Sequence, residues 1–324
     1  MGNRMLKRIA LLLLCMSAWV AAANLVKPSK SFEASGIVED MTLAEGKLLV
    51  GTDTGKLQIF SLSDFQKIDE VQLPKIKDFM GDVIDTKVFS VDGSGGRELL
   101  LSDSGEGGYS ALWLYEKGKL RKIFGAEAQK TVIKARFVDD DHILLGYLSD
   151  EVGLYDLRSR KELYHRQLEP SKFSDFALDE EKKRAVFGCE SGKLTLIDVA
   201  TGKTLASKER LHLDNVLSVA FRHGWAVAGS QDRRGSYWHV DGTESGYFEG
   251  SFPVYAVGLS PSAKIAAYTM DENRDIRLYD LASQSLVARL QGLPSRPEKI
   301  LFLDGHRILG ASQDNRILLW NLKK

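Results

Sequence analysis

His212, Ser230 and Asp232 place an imidazole, a hydroxyl and a carboxylate in one short stretch, HLDNVLSVAFRHGWAVAGSQDRRGSYWHV (212–240), and Trp238 adds an indole N–H. Imidazole, hydroxyl and carboxylate are the parts of a nucleophilic triad. The strand-to-helix turn that presents such a serine is missing, because no G-x-S-x-G occurs. Metal chemistry lacks its ligands too. There is no H-E-x-x-H, no C-x-x-C-H and no cysteine pair, and the histidines at 142, 165, 212, 223, 239 and 306 have no metal-pair spacing. Gly202-Lys203-Thr204 ends like a phosphate-binding loop, but Ile197 stands where the first glycine belongs. That tripeptide follows Ile197-Asp198-Val199 in a strand-to-strand turn, not at a helix start. The expectation is a chain with no catalytic residue, no metal and no cofactor.

Three further features invite chemistry and receive a plainer reading. Asp92-Gly93-Ser94-Gly95-Gly96 has the outline of a calcium loop but one carboxylate, and calcium takes six to eight oxygens. It reads as a hairpin turn. Asp139-Asp140-Asp141 and Asp179-Glu180-Glu181 occupy equivalent hairpins of neighbouring units. Solvated turn charge is the main reading, and a divalent ion between the two turns is the alternative. Cys189 sits beside Glu190, whose charge would raise the thiol pKa, so it reads as structural.

The elements that must position these residues repeat. Phe60-Ser61, Tyr115-Glu116, Tyr155-Asp156, Ile197-Asp198, Trp238-His239, Tyr279-Asp280 and Trp320-Asn321 each close a strand, at successive spacings of 55, 40, 42, 41, 41 and 41 residues. Each unit holds four short alternating strands separated by Gly, Ser, Asp and Pro, and no window keeps helical periodicity over three turns. Four strands in about 41 residues match the period of a propeller blade.

Residues 212–240 resemble a WD40 repeat along nearly their whole length. His212 takes the place of the repeat's histidine, Val216, Val219 and Phe221 its inward first-strand residues, and Ser230, Asp232 and Trp238 its serine, turn aspartate and tryptophan. Leu211 replaces the glycine before the histidine. The resemblance implies that His212, Ser230, Asp232 and Trp238 form a hydrogen-bonded tetrad bracing one blade, with the aspartate holding the imidazole's tautomer. The last unit keeps Ser312, Asp314 and Trp320, and the other five lack the set. The fold expected is all-β: a seven-bladed, WD40-like β-propeller.

The last unit stops three strands in, at Leu322, while Ser31–Gly36 is a spare strand before the first unit begins near Val38. Pairing the two would close the ring and cover bare strand edges. Asn24–Lys30 reads as a linker. The extra 14 residues of the first spacing fall between Val71 and Val88 and include Pro74, Lys75, Lys77, Asp78 and Asp82. A solvated loop is the expectation there, with a partner-specific feature as the alternative.

Arg4, Lys7 and Arg8 precede a short apolar run, and Ala21-Ala22-Ala23 follows it. A basic start, a short apolar core and small residues at the end read as a secretory signal over 1–23. The run is shorter than the roughly 20 residues that span a bilayer. A lipid-carrying Cys15 is disfavoured because Leu14 stands where a small residue belongs. The domains expected are this cleaved leader and one propeller over 24–324, in the periplasm, with no membrane span.

The whole chain of 324 residues has 44 basic and 44 acidic residues, 44% hydrophobic residues and a mean hydropathy of −0.18. That composition fits a core-forming protein, and balanced charge offers no footprint for nucleic acid. Without residues 1–23 the chain keeps 41 basic residues against 44 acidic, and one cysteine, Cys189.

Three function classes fit a propeller: a protein-binding module, an enzyme with a site in its central channel as in propeller lactonases, and an envelope-assembly scaffold. The innermost strands offer chiefly Asp175 as an acidic channel residue, so the binding module is expected. Among exported propellers the chain is similar to the NapL family, accessory proteins of periplasmic nitrate respiration. That resemblance implies a non-catalytic helper that docks an exported protein such as a periplasmic reductase component. Arg233, Arg234, Arg274 and Arg316 lie at matching turns of three successive units and are the expected contact residues, because a guanidinium fork pairs with carboxylates.

Overall fold

The computed structural model describes residues 24–323; the expected leader, with Cys15, lies outside the described residues. Seven antiparallel sheets follow one another along the chain. Blades one to six span 38–72, 88–124, 132–167, 173–208, 216–249 and 257–290, and blade seven takes 297–321. Neighbouring first strands touch around the ring, and that of blade seven returns to that of blade one. The first strands therefore line the centre and the fourth strands form the rim.

Burial along each strand follows from its depth in this arrangement. Second strands are sandwiched between adjacent blades on both sides, so they read as unbroken apolar runs: Lys47–Thr52 is buried from Leu48 onward. Each such side chain contributes about 1.5–3 kcal/mol. Fourth strands meet solvent and alternate, as Lys161–Gln167 does. Glycine recurs on second strands where a neighbouring blade comes closest. A Cβ at Gly229 would lie 2.4 Å from the Val254 carbonyl oxygen, and one at Gly188 2.5 Å from Val216.

Lys30–Glu33 pairs antiparallel with Arg316–Asn321, so the N-terminal segment supplies the fourth strand of blade seven. The expected closure is present. The expected linker is not wholly a linker, however. Asn24–Val26 forms a parallel fifth strand on the rim of blade six, in register with Ala288–Leu290, because Val26 finds an apolar site against the cluster of Leu290, Leu293 and Trp320.

First strands carry a β-bulge. In five blades the register against the second strand slips by one residue, between Val38 and Asp40, Val132 and Lys134, Phe173 and Asp175, Val216 and Ser218, and Pro297 and Lys299. Blade two makes the same slip between Val88 and Ser90. A bulge re-aims the side chain that follows it. It is this irregularity that turns one polar residue in each of these six blades toward the centre.

Candidate functional site

Strand order divides the disc into two faces. The upper face carries the turns from second to third strands and the connections between blades; the lower face carries the other two turns of each blade. Arg233, Arg234, Arg274 and Arg316 all belong to upper-face turns, in blades five to seven. Arg233, Arg274 and Arg316 are exposed. Arg234 is not equivalent: it is 17% exposed and lies over the Tyr247 ring at 4.2 Å, with its Nη1 donating to the Leu211 carbonyl. Arg316 donates to Asp314 at 3.1 Å and Arg274 to the Leu293 carbonyl at 3.3 Å. Arg233 and Arg274 take φ of +72° and +63°. Blades one and four place Gly55 and Gly192 at the corresponding turn position, also at positive φ. A side chain in this region costs energy that glycine avoids.

The tetrad residues gather at the same face of blade five but connect differently from the family pattern. His212 is buried, and its Nε2 meets the Ser236 hydroxyl at 2.7 Å, not that of Ser230. Ser230 Oγ donates instead to the Asp214 carbonyl and accepts from the Asp232 N–H. The His212 Nδ1 to Asp232 Oδ1 separation is 3.5 Å, too long for a good hydrogen bond. Trp238 packs among Leu194, Val216 and Phe221 without a hydrogen bond to the other three. The hydroxyl differs because Ser236, two residues before Trp238 on the third strand, lies directly under the imidazole.

Asp232 is the hub of what remains. It accepts the N–H groups of Leu213 at 2.7 Å and Arg234 at 3.0 Å. Burial pushes its carboxyl up, yet His212 and those two N–H groups outweigh burial and hold it at about 2. Asp232→Ala is expected to destabilise by about 1–3 kcal/mol, since both N–H groups lose their acceptor. Urea midpoints measure it, and a change below about 0.3 kcal/mol would mean that Asp232 braces nothing.

The channel holds a collar that the strand pattern only half disclosed. The residues after the bulges, Asp40, Ser90, Lys134, Asp175, Ser218 and Lys299, form one ring, and Arg136 lies one step deeper. Asp92, buried near Arg136, accepts the Phe137 N–H, so Asp175 is one of three carboxylates among three cations, and not the sole acidic candidate. Asp40 meets Arg136 at 2.8 Å and Lys299 at 3.3 Å; Asp175 meets Lys134 at 2.5 Å. Each carboxylate also takes a backbone N–H from the next first strand, Asp40 from Val91 and Asp175 from Val219. Burial raises both carboxyls, but the cations overcome it: Arg136 and Lys299 hold Asp40 far below the usual range, and Lys134 and Lys299 hold Asp175 below it. Burial, with Arg136 and Lys299 nearby, brings Lys134 down to about 8 against the pull of Asp175. Ionised, mutually paired carboxylates make poor general acids, so the collar ties the blades together.

The upper face is also where exposed apolar groups collect. The insertion forms a small hairpin, Ile76–Lys77 with Val83–Ile84, whose tip displays Phe79 at 97% and Met80 at 72% exposure. Val83 and Ile84 are exposed beside them, and Ile37, Leu148, Leu213 and Phe252 on other upper-face connections. The remaining exposed large apolar side chains are on rim strands; among the described residues the lower-face turns have none. The hairpin is ordered where a loop was expected, because Asp78 Oδ1 accepts the N–H groups of Met80 and Asp82. The charged residues of this segment stand out in the sequence, whereas no motif or period marks the Phe79-Met80 pair at its centre.

Lower-face acidic turns find their partners locally. Asp139 meets His142, Asp140 meets Arg97 and Asp141 meets Arg158; Asp179, Glu180 and Glu181 meet Arg184, Arg222 and Lys183. The described residues contain no group of three or more His, Cys, Asp or Glu placed to hold a metal, and no helix among them is long and apolar enough to cross a membrane.

Cys189 is buried, and burial raises its thiol; the neighbouring carboxylate that adds to this is Asp150, not Glu190. Asp150 is itself buried with Oδ1 lacking a partner, and burial lifts it to about 7. A carboxyl raised on folding opposes folding once it must ionise, so stability should rise as pH falls from 8 toward 4. Asp150→Asn should remove that slope and stabilise at pH 8 by on the order of 2 kcal/mol, with little gain at pH 4. Melting curves at the two pH values check this; an equal change at both would show that Asp150 is not titrating.

No family model matches the chain, and no curated protein matches it. Solved structures do: 1825 chains match. One is the crystal structure of the Myceliophteria thermophila Cps50 (Swd1) β-propeller domain, with a TM-score of 0.70 and 15% identity over 91% of this chain and 99% of that one. At that identity the likeness carries the fold alone, a seven-bladed propeller with a WD40 neighbour. The NapL resemblance gains no support from these comparisons.

Proposed function

We propose that this chain is an exported, non-catalytic docking scaffold whose upper face receives a protein partner. The observation that carries the reading is the unequal distribution of exposed apolar groups between the faces, with Phe79 and Met80 standing out from the disc. Exposed apolar groups gathered in one place mark interaction sites, and large anchors of this kind dominate binding energy. Arg233 and Arg274 are exposed on the same face. Arg316 completes the exposed basic edge, whereas Arg234 serves its own blade. Export rests on the leader-like residues 1–23, and a periplasmic reductase component as partner rests on the family resemblance alone.

The test uses the mature protein and a periplasmic nitrate reductase in a direct binding assay. Phe79→Ser with Met80→Ser, and separately Arg233→Gly with Arg274→Gly, should each weaken binding at least tenfold, which is about 1.4 kcal/mol, without lowering the melting point. Glu181→Lys on the lower face should leave binding unchanged. Loss of binding in the lower-face variant alone would overturn the assignment of the face, and no binding by the wild type would remove the reductase. Mass spectrometry of the exported protein should find Asn24 at its N-terminus.

A further inference from the structure

The insertion hairpin and the neighbouring turn of blade two leave a cleft between them. That turn joins the second and third strands of the blade over residues 103–109. The cleft has a volume of about 450 Å³, with Ile76, Phe79 and Ile84 on one wall and Asp103, Glu106 and Gly108 on the other. Its walls are fixed against each other. Ile76 packs so closely on Gly105, which takes φ of +79°, that a Cβ there would lie 2.7 Å away. Thr86 Oγ1 donates to the Pro74 carbonyl and so ties the two ends of the insertion together. Gly108 contributes backbone alone, with nothing within 4 Å of where its Cβ would stand.

Charge around this cleft is one-sided. Asp103 and Glu106 are exposed on the turn, Asp78 and Asp82 flank the hairpin tip, and Lys77 is the cation among the lining residues. Cations close by already have partners: Lys75 has Asp85, Lys87 has Glu39, Lys56 has Glu70 and Lys130 has Glu162. Asp53, on the adjoining turn of blade one, adds a further carboxylate. Asp78 Oδ1 accepts from the Met80 and Asp82 N–H groups and Asp103 Oδ1 from that of Gly105. Their second oxygens accept no hydrogen bond from the described residues. A tip of Phe79 and Met80 would by itself suit a lipid surface as well as a protein. Carboxylates around it repel the anionic headgroups of such a surface and draw in cationic side chains.

We propose that this cleft receives a short segment of the docked protein in which lysine or arginine flanks a large apolar side chain. The apolar group sits against Phe79 and Ile84, and the cations meet Asp103 and Glu106. The inference rests on the upper face being the docking face and specifies what the partner presents there. Apolar contact supplies the anchor, while charge-assisted hydrogen bonds to the carboxylates orient the segment.

Fluorescence anisotropy of labelled peptides with the mature protein tests it. The probes are Gly-Ser-Arg-Leu-Arg-Ser-Gly, a twin with glutamate for both arginines, and a twin with serine for leucine. The first should bind saturably and the two twins at least tenfold more weakly. Its affinity should fall at least threefold between about 0.03 M and about 0.3 M salt, because exposed charges are screened. Asp103→Asn with Glu106→Gln keeps the side-chain shapes and should weaken it at least tenfold with an unchanged melting point. Phe79→Ser with Met80→Ser should do the same, and Glu181→Gln on the lower face should change it less than twofold. No saturable binding of the first peptide would overturn the proposal. So would equal binding of either twin, or affinity unaltered in both folded double variants. Capture of the protein by phosphatidylglycerol vesicles through Phe79 would also overturn it, by making the tip a lipid anchor. The docking face and this inference fail separately. A reductase that binds through Phe79 but is not displaced by the first peptide would uphold the face and overturn the segment.

Discussion

Asp40→Ala is expected to destabilise the propeller by about 3–5 kcal/mol, the typical cost of stranding a buried charge by removing its partner. Asp40 holds Arg136 of blade three and Lys299 of blade seven, and accepts the Val91 N–H of blade two. Its loss therefore loosens three blades beside its own and leaves two cations crowding Lys134. Urea unfolding at pH 7 measures the effect, and Asp40→Ala combined with Arg136→Met should recover part of it, because the second change removes the stranded charge. The sign with pH is definite. Asp40 is held below its ordinary range in the folded state, so its contribution is present above the unfolded carboxylate pKa and is lost as pH falls through the folded one. The acid-side limb of the stability curve should flatten in the variant. An unchanged urea midpoint would mean that the collar is solvated and weak.

Removing residues 24–33 should cost at least roughly 3 kcal/mol, or about 5 °C for a domain of this size. Blade seven would keep three strands, its Arg316–Asn321 edge would lose its partner Lys30–Glu33, and Phe32 would leave its place against Phe60 and Phe65. Bare strand edges template association, so the truncated protein should elute as larger species with increasing concentration. Starting instead at Lys27 removes only Asn24–Val26 from blade six, which remains four-stranded, and should lower the melting point by less. Equal losses in the two truncations would contradict the closing role of Lys30–Glu33. A monomeric longer truncation with an unchanged melt would contradict closure altogether.

Much of this architecture was legible because it is local. The 41-residue spacing, the strand alternation, the missing fourth strand of the last unit and the spare N-terminal strand are features that a single blade or its own turns must satisfy. The face bearing the four arginines was legible for the same reason, since matching turns of a repeat lie on matching sides. What sequence did not show depends on which blades meet. Asp40, Lys134, Asp175 and Lys299 lie far apart along the chain, and neither alternation nor motif marks them as partners. They meet because a bulge in each of their first strands points one side chain to a common axis, and only closure of the ring supplies that axis. Ser236 displaced Ser230 as the hydroxyl on His212 for a similar reason, because small differences in strand depth decide which hydroxyl reaches a buried imidazole. Period and turn chemistry, written into contiguous residues, determined the propeller; the charged collar and the apolar upper face were decided by tertiary structure, because charge pairing and exposure are properties of neighbours that the chain brings together only after it has closed.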